Sequence, residues 1–235
     1  MTEFPLWAPP APVSLPVKGL SERAAVNRIF CVGRNYLAHA AEMGHKVEKE
    51  GDRPFYFTKS PQALVDSGAT IPYPPETRNC HHEMELVVVI GAPGFRVAPE
   101  RAHELIYGYA CGLDLTRRDL QLAAREKGRP WDLGKDFENA AVVSEIVPMP
   151  GVLLERGWIK LLVNGAIKQK SDLGNLIWSV REIVADLSLF YHLAPGDLIF
   201  TGTPDGVGPV KPGDKLEGKI EGVGTIALTI GPAEA

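Results

Sequence analysis

Glycine and proline cut this chain into short apolar runs, and that punctuation constrains its fold more than any other feature. There are 24 glycines and 20 prolines in 235 residues, and Ile29-Phe30-Cys31-Val32, Leu86-Val87-Val88-Val89-Ile90 and Leu198-Ile199-Phe200 all fall between them. Such spacing favours many short strands joined by tight turns over a helical bundle. The length suffices for one substantial core. No shift in composition marks a second domain. The expectation is an N-terminal arm over residues 1–27, lying on the surface, and a single domain over 28–235. The expected class is α+β, predominantly β.

Local patterns place the elements. Arg28-Ile29-Phe30-Cys31-Val32-Gly33 reads as a strand closing at glycine. Asn35 suits a helix N-cap, with the helix running from Tyr36 to about Met43 and ending near Gly44. Residues 45–54 are charged and nearly free of apolar anchors. They read as a solvated loop or, following His39 so closely, as a lid. Phe55–Lys59 is strand-like, and the proline-rich stretch 72–79 reads as loop. Glu83 to Ile90 is the clearest strand. Pro99 to about Leu105 suggests a helix leading into a strand through Tyr109 and Leu113. Thr116 to Lys127 reads as a helix stopped by Gly128 and Pro130. Asn164-Gly165 between Trp158–Val163 and Ala166–Gln169 predicts a hairpin. A helix is expected over Ile177–Tyr191. Ala194-Pro195-Gly196-Asp197 and Lys211-Pro212-Gly213-Asp214 echo one another, each a turn feeding a strand, as in a β-roll.

Composition narrows the function classes. With 25 basic and 29 acidic residues the net charge is −4, and no Lys/Arg stripe appears, so no nucleic-acid partner is expected. Cys31, Cys80 and Cys111 lie far apart and form no Cys-x-x-Cys pair, which fits a reduced, cytoplasmic setting. The N-terminus lacks the basic start and apolar stretch of a signal peptide. The longest apolar run, Leu86–Ile90, is too short to span a bilayer, so no membrane partner is expected.

Glu83-Met84-Glu85 sets two carboxylates at i and i+2, on one face of a strand. Like charges so close repel unless a cation lies between them, and oxygen ligands suit hard ions such as Mg²⁺, Mn²⁺ or Ca²⁺. Alone, the pair is better explained by a solvent-facing edge strand, because Glu-x-Glu is common. His81 and His82, just before it, read as supporting or core residues. Asp114 is the third candidate ligand, although a helix N-cap would also explain it. Asp114, Arg118 and Gln121 at i, i+4 and i+7 would share one helical face, offering an acid, a guanidinium and an amide. An ordinary solvated helix face has the same pattern.

His39 and Glu42, at i and i+3, could form a base for water, the carboxylate orienting the imidazole. A surface ion pair is the plain alternative. Lys135 could stabilise an oxyanion, or simply be solvated. Thr201-Gly202-Thr203-Pro204 is a tight turn whose hydroxyls and amides could meet a carboxylate. It is not a phosphate loop, because no Gly-Lys-Ser/Thr follows.

The order of these segments is more specific than any one of them. Val32-Gly33-Arg34-Asn35-Tyr36 with His39 and Glu42, Arg78-Asn79 with His82-Glu83-Met84-Glu85-Leu86, Asp114 with Arg118-Asp119 and Gln121, Gly134-Lys135, and Thr201-Gly202-Thr203-Pro204 with Gly206-Val207-Gly208-Pro209 follow one another at family-like spacing. From about residue 28 to the end the chain resembles the fumarylacetoacetate hydrolase family, in its small bacterial type. Val13-Ser14-Leu15-Pro16-Val17 looks most like the members acting on fumarylpyruvate in gentisate breakdown.

The resemblance implies a β-sandwich roll with short peripheral helices, usually a homodimer, with Mg²⁺ or Mn²⁺ held by Glu83, Glu85 and Asp114. It makes His39 and Glu42 the water-activating pair, with Lys135 at the oxyanion. It sets Arg34, Arg118, Gln121 and Thr203 around a small dioxo acid. Large members of the family carry a further metal-binding Asp several residues before the histidine. Phe30-Cys31-Val32-Gly33 stands there instead. The implied reaction is hydrolytic cleavage of a carbon–carbon bond in a 2,4-dioxo acid, and the 45–54 loop, with Arg53, is a candidate to close over its distal carboxylate. Acylpyruvate hydrolysis, oxaloacetate decarboxylation and muconate-type isomerisation or hydration are family alternatives. A metal-binding scaffold without catalysis is the alternative from another class.

Overall fold

The structure is a computed structural model that describes residues 6–7, 11–44 and 47–234. Its main sheet runs in the order β4 (Phe55–Lys59), β3 (Ile29–Gly33), β15 (Leu198–Phe200), β8 (Met84–Ile90), β9 (Ile106–Asp114), β11 (Ala141–Val143) and β5 (Leu64–Asp66), with β12 (Val147–Pro148) beside β9. A second sheet packs against it in the order β14 (Ala166–Asp172), β13 (Trp158–Val163), β17 (Lys215–Ile220), β18 (Gly224–Ala233) and β6 (Thr70–Tyr73). A small sheet joins β10 (Thr116–Arg117), β7 (Cys80–His82) and β16 (Gly208–Pro209), and β1 (Ser14–Pro16) pairs with β2 (Arg23–Ala25). Pairing is antiparallel except between β3 and β15, β5 and β11, and β6 and β18. The helices are short and peripheral: α1 (Leu37–Glu42), α2 (Arg118–Glu126), α3 (Asp132–Lys135) and α4 (Val180–Leu187). This is the predominantly β, α+β roll expected from the sequence.

The valine-rich run of β8 is explained by burial on both faces, which demands a near-continuous apolar strand. Met84, Leu86, Val88 and Ile90 belong to the larger core with Ile159, Leu161 and Ile226 of the second sheet. Val87 and Val89 belong to the smaller core with Ile29, Cys31 and Ala110. The period of two carries backward, so Glu83 and Glu85 lie on the side of Val87. On β9, Asp114 likewise continues the side of Ala110 and Gly112. Gly112 is required there, because a Cβ would lie 2.6 Å from both Phe200 and Val87. β8 and β9 thus deliver Glu85 and Asp114 to one end of the smaller core, and Glu83, in the one-residue break before β8 where a strand from Glu83 is expected from sequence, joins them.

The turns behave as read. Asn164 and Gly165 take positive φ between β13 and β14, the left-handed pair a two-residue hairpin needs. The two echoed turns share one device: Asp197 Oδ2 accepts from the Ala194 N–H, and Asp214 Oδ2 from the Lys211 N–H, each at 2.9 Å.

Several expectations are corrected. Residues 14–17 are not a surface arm: Leu15 and Val17 are buried in the smaller core. Asn35 is no N-cap. Its side chain is buried, donating to the Thr201 and Trp178 carbonyls and accepting from the Trp178 N–H. The first helix spans Leu37–Glu42. The next starts at Arg118, because Thr116 and Arg117 pair with β7. Asp114 therefore reaches the site from a strand and shares no helical face with Arg118 and Gln121. Pro72 lies within β6, tolerated because that strand is the sheet's edge. The helix expected over Ile177–Tyr191 covers only Val180–Leu187, opened by a capping box between Ser179 and Glu182.

Candidate metal centre and active-site pocket

Glu83, Glu85 and Asp114 are all buried, and carboxylate oxygens from the three lie within 4.8 Å of one another. Their partners differ. Glu83 is bracketed by the Arg118 guanidinium and by Lys135 Nζ, the latter at 2.8 Å. Asp114 is bracketed by Lys135 Nζ at 2.7 Å on Oδ2 and Lys59 Nζ at 2.9 Å on Oδ1. The Lys59 contact is ionic; its direction is not that of a hydrogen bond, and Oδ1 accepts none. Glu85 is bonded by the Gly202 N–H at 2.7 Å, and among the described residues no ion pair reaches it.

The charges follow from this asymmetry. Burial would raise the Glu83 carboxyl, but Lys135, Arg118 and His39 outweigh it and hold it well below the usual range. Burial, with repulsion from Asp114 and Glu83, pushes Glu85 well above its ordinary value. Burial would lower Lys135, but Asp114 and Glu83 keep it protonated. A hard cation fits this donor set: it meets a carboxylate with no cationic partner beside a buried acceptor, Asp114 Oδ1, that receives no hydrogen bond. Because the Glu85 carboxyl is pushed above its ordinary value and must lose its proton to hold a cation, apparent affinity for Mg²⁺ or Mn²⁺ is expected to rise with pH, with proton release on loading. Calorimetry in buffers of different ionisation enthalpy checks this; a buffer-independent heat would contradict it.

His39 and Glu42 stand on α1. His39 is buried, its Nδ1 lies 3.3 Å from Glu42 Oε2, and the Gly206 N–H reaches the same carboxylate at 3.3 Å. The pair thus straddles the surface: the imidazole is enclosed while the Glu42 carboxylate is exposed. Thr201-Gly202-Thr203-Pro204 does meet a carboxylate, that of Glu85. Gly202 has φ +100°, and a Cβ there would lie 2.7 Å from Asn35 Cβ. The Thr203 hydroxyl donates to the Met84 carbonyl and accepts from Gln169. Arg118 donates to Gln121 Oε1 at 2.5 Å as well as to Glu83. Lys135 commits its three N–H donors to Glu83, Asp114 and Thr116. Its reach to an oxyanion is through charge, not through an unused donor. His82 is a core residue bonded to Gln169, and burial lowers it; His81 backs Arg118 and is pushed down to about 4 by burial and that guanidinium.

All ten site residues expected from sequence line one pocket or support it. The pocket is lined by Arg34, His39, Glu83, Glu85, Asp114, Arg118, Gln121, Lys135 and Thr203, with Phe57, Arg125 and Trp131. Glu42 stands behind His39. Arg53 is not there: it pairs with Asp186 of α4 at 2.6 Å, and Lys49 pairs with Glu182 at 2.7 Å. His45 and Lys46 of the suggested lid lie outside the described residues.

Sequence reasoning missed Lys59, Arg125, Phe57 and Trp131. A signal existed for Lys59: it ends β4 at i+2 from Phe57, so it continues an inward face.

This fold and site define a carboxylate metal centre set in a β-roll, with a histidine–glutamate pair beside it. The fumarylacetoacetate hydrolase C-terminal family model matches residues 28–231. The chain belongs to the fumarylacetoacetate hydrolase family. A fumarylpyruvate hydrolase of a Ralstonia species is 66% identical over 192 residues, covering 82% of this chain and 100% of that protein. The mouse mitochondrial oxaloacetate tautomerase FAHD1 is 39% identical, covering 88% and 92%. The crystal structure of a Pseudomonas aeruginosa fumarylpyruvate hydrolase, in complex with Mn²⁺ and pyruvate, superposes with a TM-score of 0.92 at 45% identity, covering 97% of this chain and 100% of that one.

Proposed function

We propose that this chain hydrolyses a carbon–carbon bond in a 2,4-dioxo acid, with fumarylpyruvate as substrate and fumarate and pyruvate as products. The observation that carries the reading is the shared pocket: His39, backed by Glu42, faces the same space as Glu83, Glu85 and Asp114. A scaffold would have no need of a base there. The likeness to fumarylpyruvate hydrolases supports the choice of acyl group.

Glu83, Glu85 and Asp114 would hold Mg²⁺ or Mn²⁺, which when bound supplies Lewis-acid stabilisation of negative charge on the pyruvate half. Glu42 at Nδ1 of His39 leaves Nε2 to take a proton from water. The hydroxide equivalent attacks the 4-carbonyl, the bond to the pyruvyl carbon breaks, and the departing carbanion takes a proton. Lys135 adds positive charge beside the developing oxyanion. Gln121 and Thr203 line the substrate, Arg118 holds Glu83 and Gln121, and Arg34 lies toward the opening. The wider reading is a cytoplasmic homodimer serving aromatic-compound breakdown, with residues 28–235 as the catalytic body.

Incubation of the metal-loaded protein with fumarylpyruvate, acetylpyruvate and oxaloacetate tests the proposal. Loss of the dioxo acid's ultraviolet absorbance, with fumarate and pyruvate formed in equal amounts, is expected. Conversion of oxaloacetate alone would overturn it in favour of the alternative chemistry.

A further inference from the structure

We propose that Arg34 and Arg125 form a subsite for the distal carboxylate of a dicarboxylic 2,4-dioxo acid, so that the pocket selects diacids over monoacids. The inference rests on the hydrolase reading above and adds the determinant of acyl-group choice.

The pocket is polarised along its length. Its acids, Glu83, Glu85 and Asp114, are gathered at the buried end, where Lys59, Lys135 and Arg118 engage them or a cation would. Toward solvent the lining changes to Arg34, Met43, Leu122, Arg125 and Trp131, with no carboxylate among these residues. Arg34 is half-buried and Arg125 exposed.

Two features hold the arginines to this place. Arg34 sits at φ 59°, and its guanidinium lies 5.7 Å from the Phe55 ring centre and 5.8 Å from that of Trp131. Cation–π attraction to these two rings, which stand edge to face at 72°, holds the guanidinium near them and leaves its N–H donors for an anion. Arg125 stands on α2, where Arg118, Gln121, Leu122 and Arg125 follow at i, i+3, i+4 and i+7. That is one helical face running from the acids to the opening. Seven residues of helix rise about 10 Å. An extended seven-carbon diacid separates its carboxyl carbons by roughly 7 Å, taking about 1.2 Å per bond. With the 2-oxo acid end at the acids, the other carboxylate falls within side-chain reach of Arg125 and Arg34.

The two guanidiniums also repel. Burial lowers Arg34, and the charge of Arg125 lowers it further. A carboxylate received between them offsets that repulsion and adds charge-assisted hydrogen bonds to those Arg125 already makes, one of them to the Met43 carbonyl. Arg53, the sequence-based candidate for this task, is bound to α4 instead.

The test compares kcat/KM for fumarylpyruvate and acetylpyruvate in the metal-loaded protein and in Arg125→Gln and Arg34→Gln. Each substitution is expected to lower the fumarylpyruvate-to-acetylpyruvate ratio about tenfold or more, mostly through KM, with Arg125→Lys recovering part of it. A ratio unchanged in both variants would overturn the subsite. Should the variants fail to fold, the unaltered protein still decides. The distal monomethyl ester of fumarylpyruvate should be at least about tenfold poorer than the diacid, and equal turnover would refute the proposal. Absence of turnover with every dioxo acid would instead refute the hydrolase reading itself, so the two failures are distinguishable.

Discussion

His39→Ala is expected to lower kcat for fumarylpyruvate hydrolysis by about 10²- to 10⁴-fold while leaving Mn²⁺ affinity within a fewfold of the unaltered protein. The separation follows from placement. His39 belongs to α1 and contributes no oxygen to the cluster of Glu83, Glu85 and Asp114. Alanine is well tolerated in a helix, so α1 should persist. The residual link is electrostatic, since His39 helps hold Glu83 low, and that effect is secondary to Lys135 and Arg118. Glu42→Gln should cost less, because the amide still reaches Nδ1 but supports the protonated ring less well. Steady-state kinetics beside calorimetric Mn²⁺ titration reads both quantities. Turnover unchanged in His39→Ala would eliminate it as the base, and loss of metal binding in parallel with kcat would recast it as a structural support.

The sequence was most legible where one local rule acted alone. The i, i+2 spacing of Glu83 and Glu85 predicts a shared face, and their carboxylates do meet, although β8 begins at Met84 and Glu83 lies in the break just before it. The Asn164-Gly165 hairpin and the twin Pro-Gly-Asp turns needed no tertiary information either. Reading failed where tertiary contacts overrode local preference. Asn35 looks like an N-cap, yet its amide is committed to the chain at Thr201 and Trp178, far away in sequence. Thr116 looks helical, but pairing with His81 extends it. Asp114 seemed to begin a helical stripe; the stripe begins at Arg118, and the acid arrives from β9. The buried cations were hardest. The spacing from Phe57 turns Lys59 inward, but that it meets Asp114 emerges only from packing.

Lys59→Met is expected to destabilise the metal-free protein by about 3–5 kcal/mol, the second large effect, at a residue the sequence did not mark. Lys59 is fully buried, its ammonium 2.9 Å from Asp114 Oδ1 and bonded to the Leu115 and Lys135 carbonyls. Methionine keeps the bulk of the stem but removes the charge and three donors. Among the described residues Asp114 then faces Glu85 and Glu83 with Lys135 as its single remaining cationic partner, and two backbone carbonyls lose a donor in a dry environment. The cost should be unequal across ligation states. A divalent cation at the three acids replaces part of the missing charge, so saturating Mg²⁺ or Mn²⁺ should restore more stability to the variant than to the unaltered protein. Urea denaturation with and without metal measures both differences. A midpoint unmoved in the metal-free state would show that the Lys59 ion pair adds nothing to folding stability. Equal metal-induced gains in both proteins would instead mean that Lys59 and the cation act on Asp114 independently. The expected result makes Lys59 the counter-charge that allows three acids to be assembled in the core before any ion arrives.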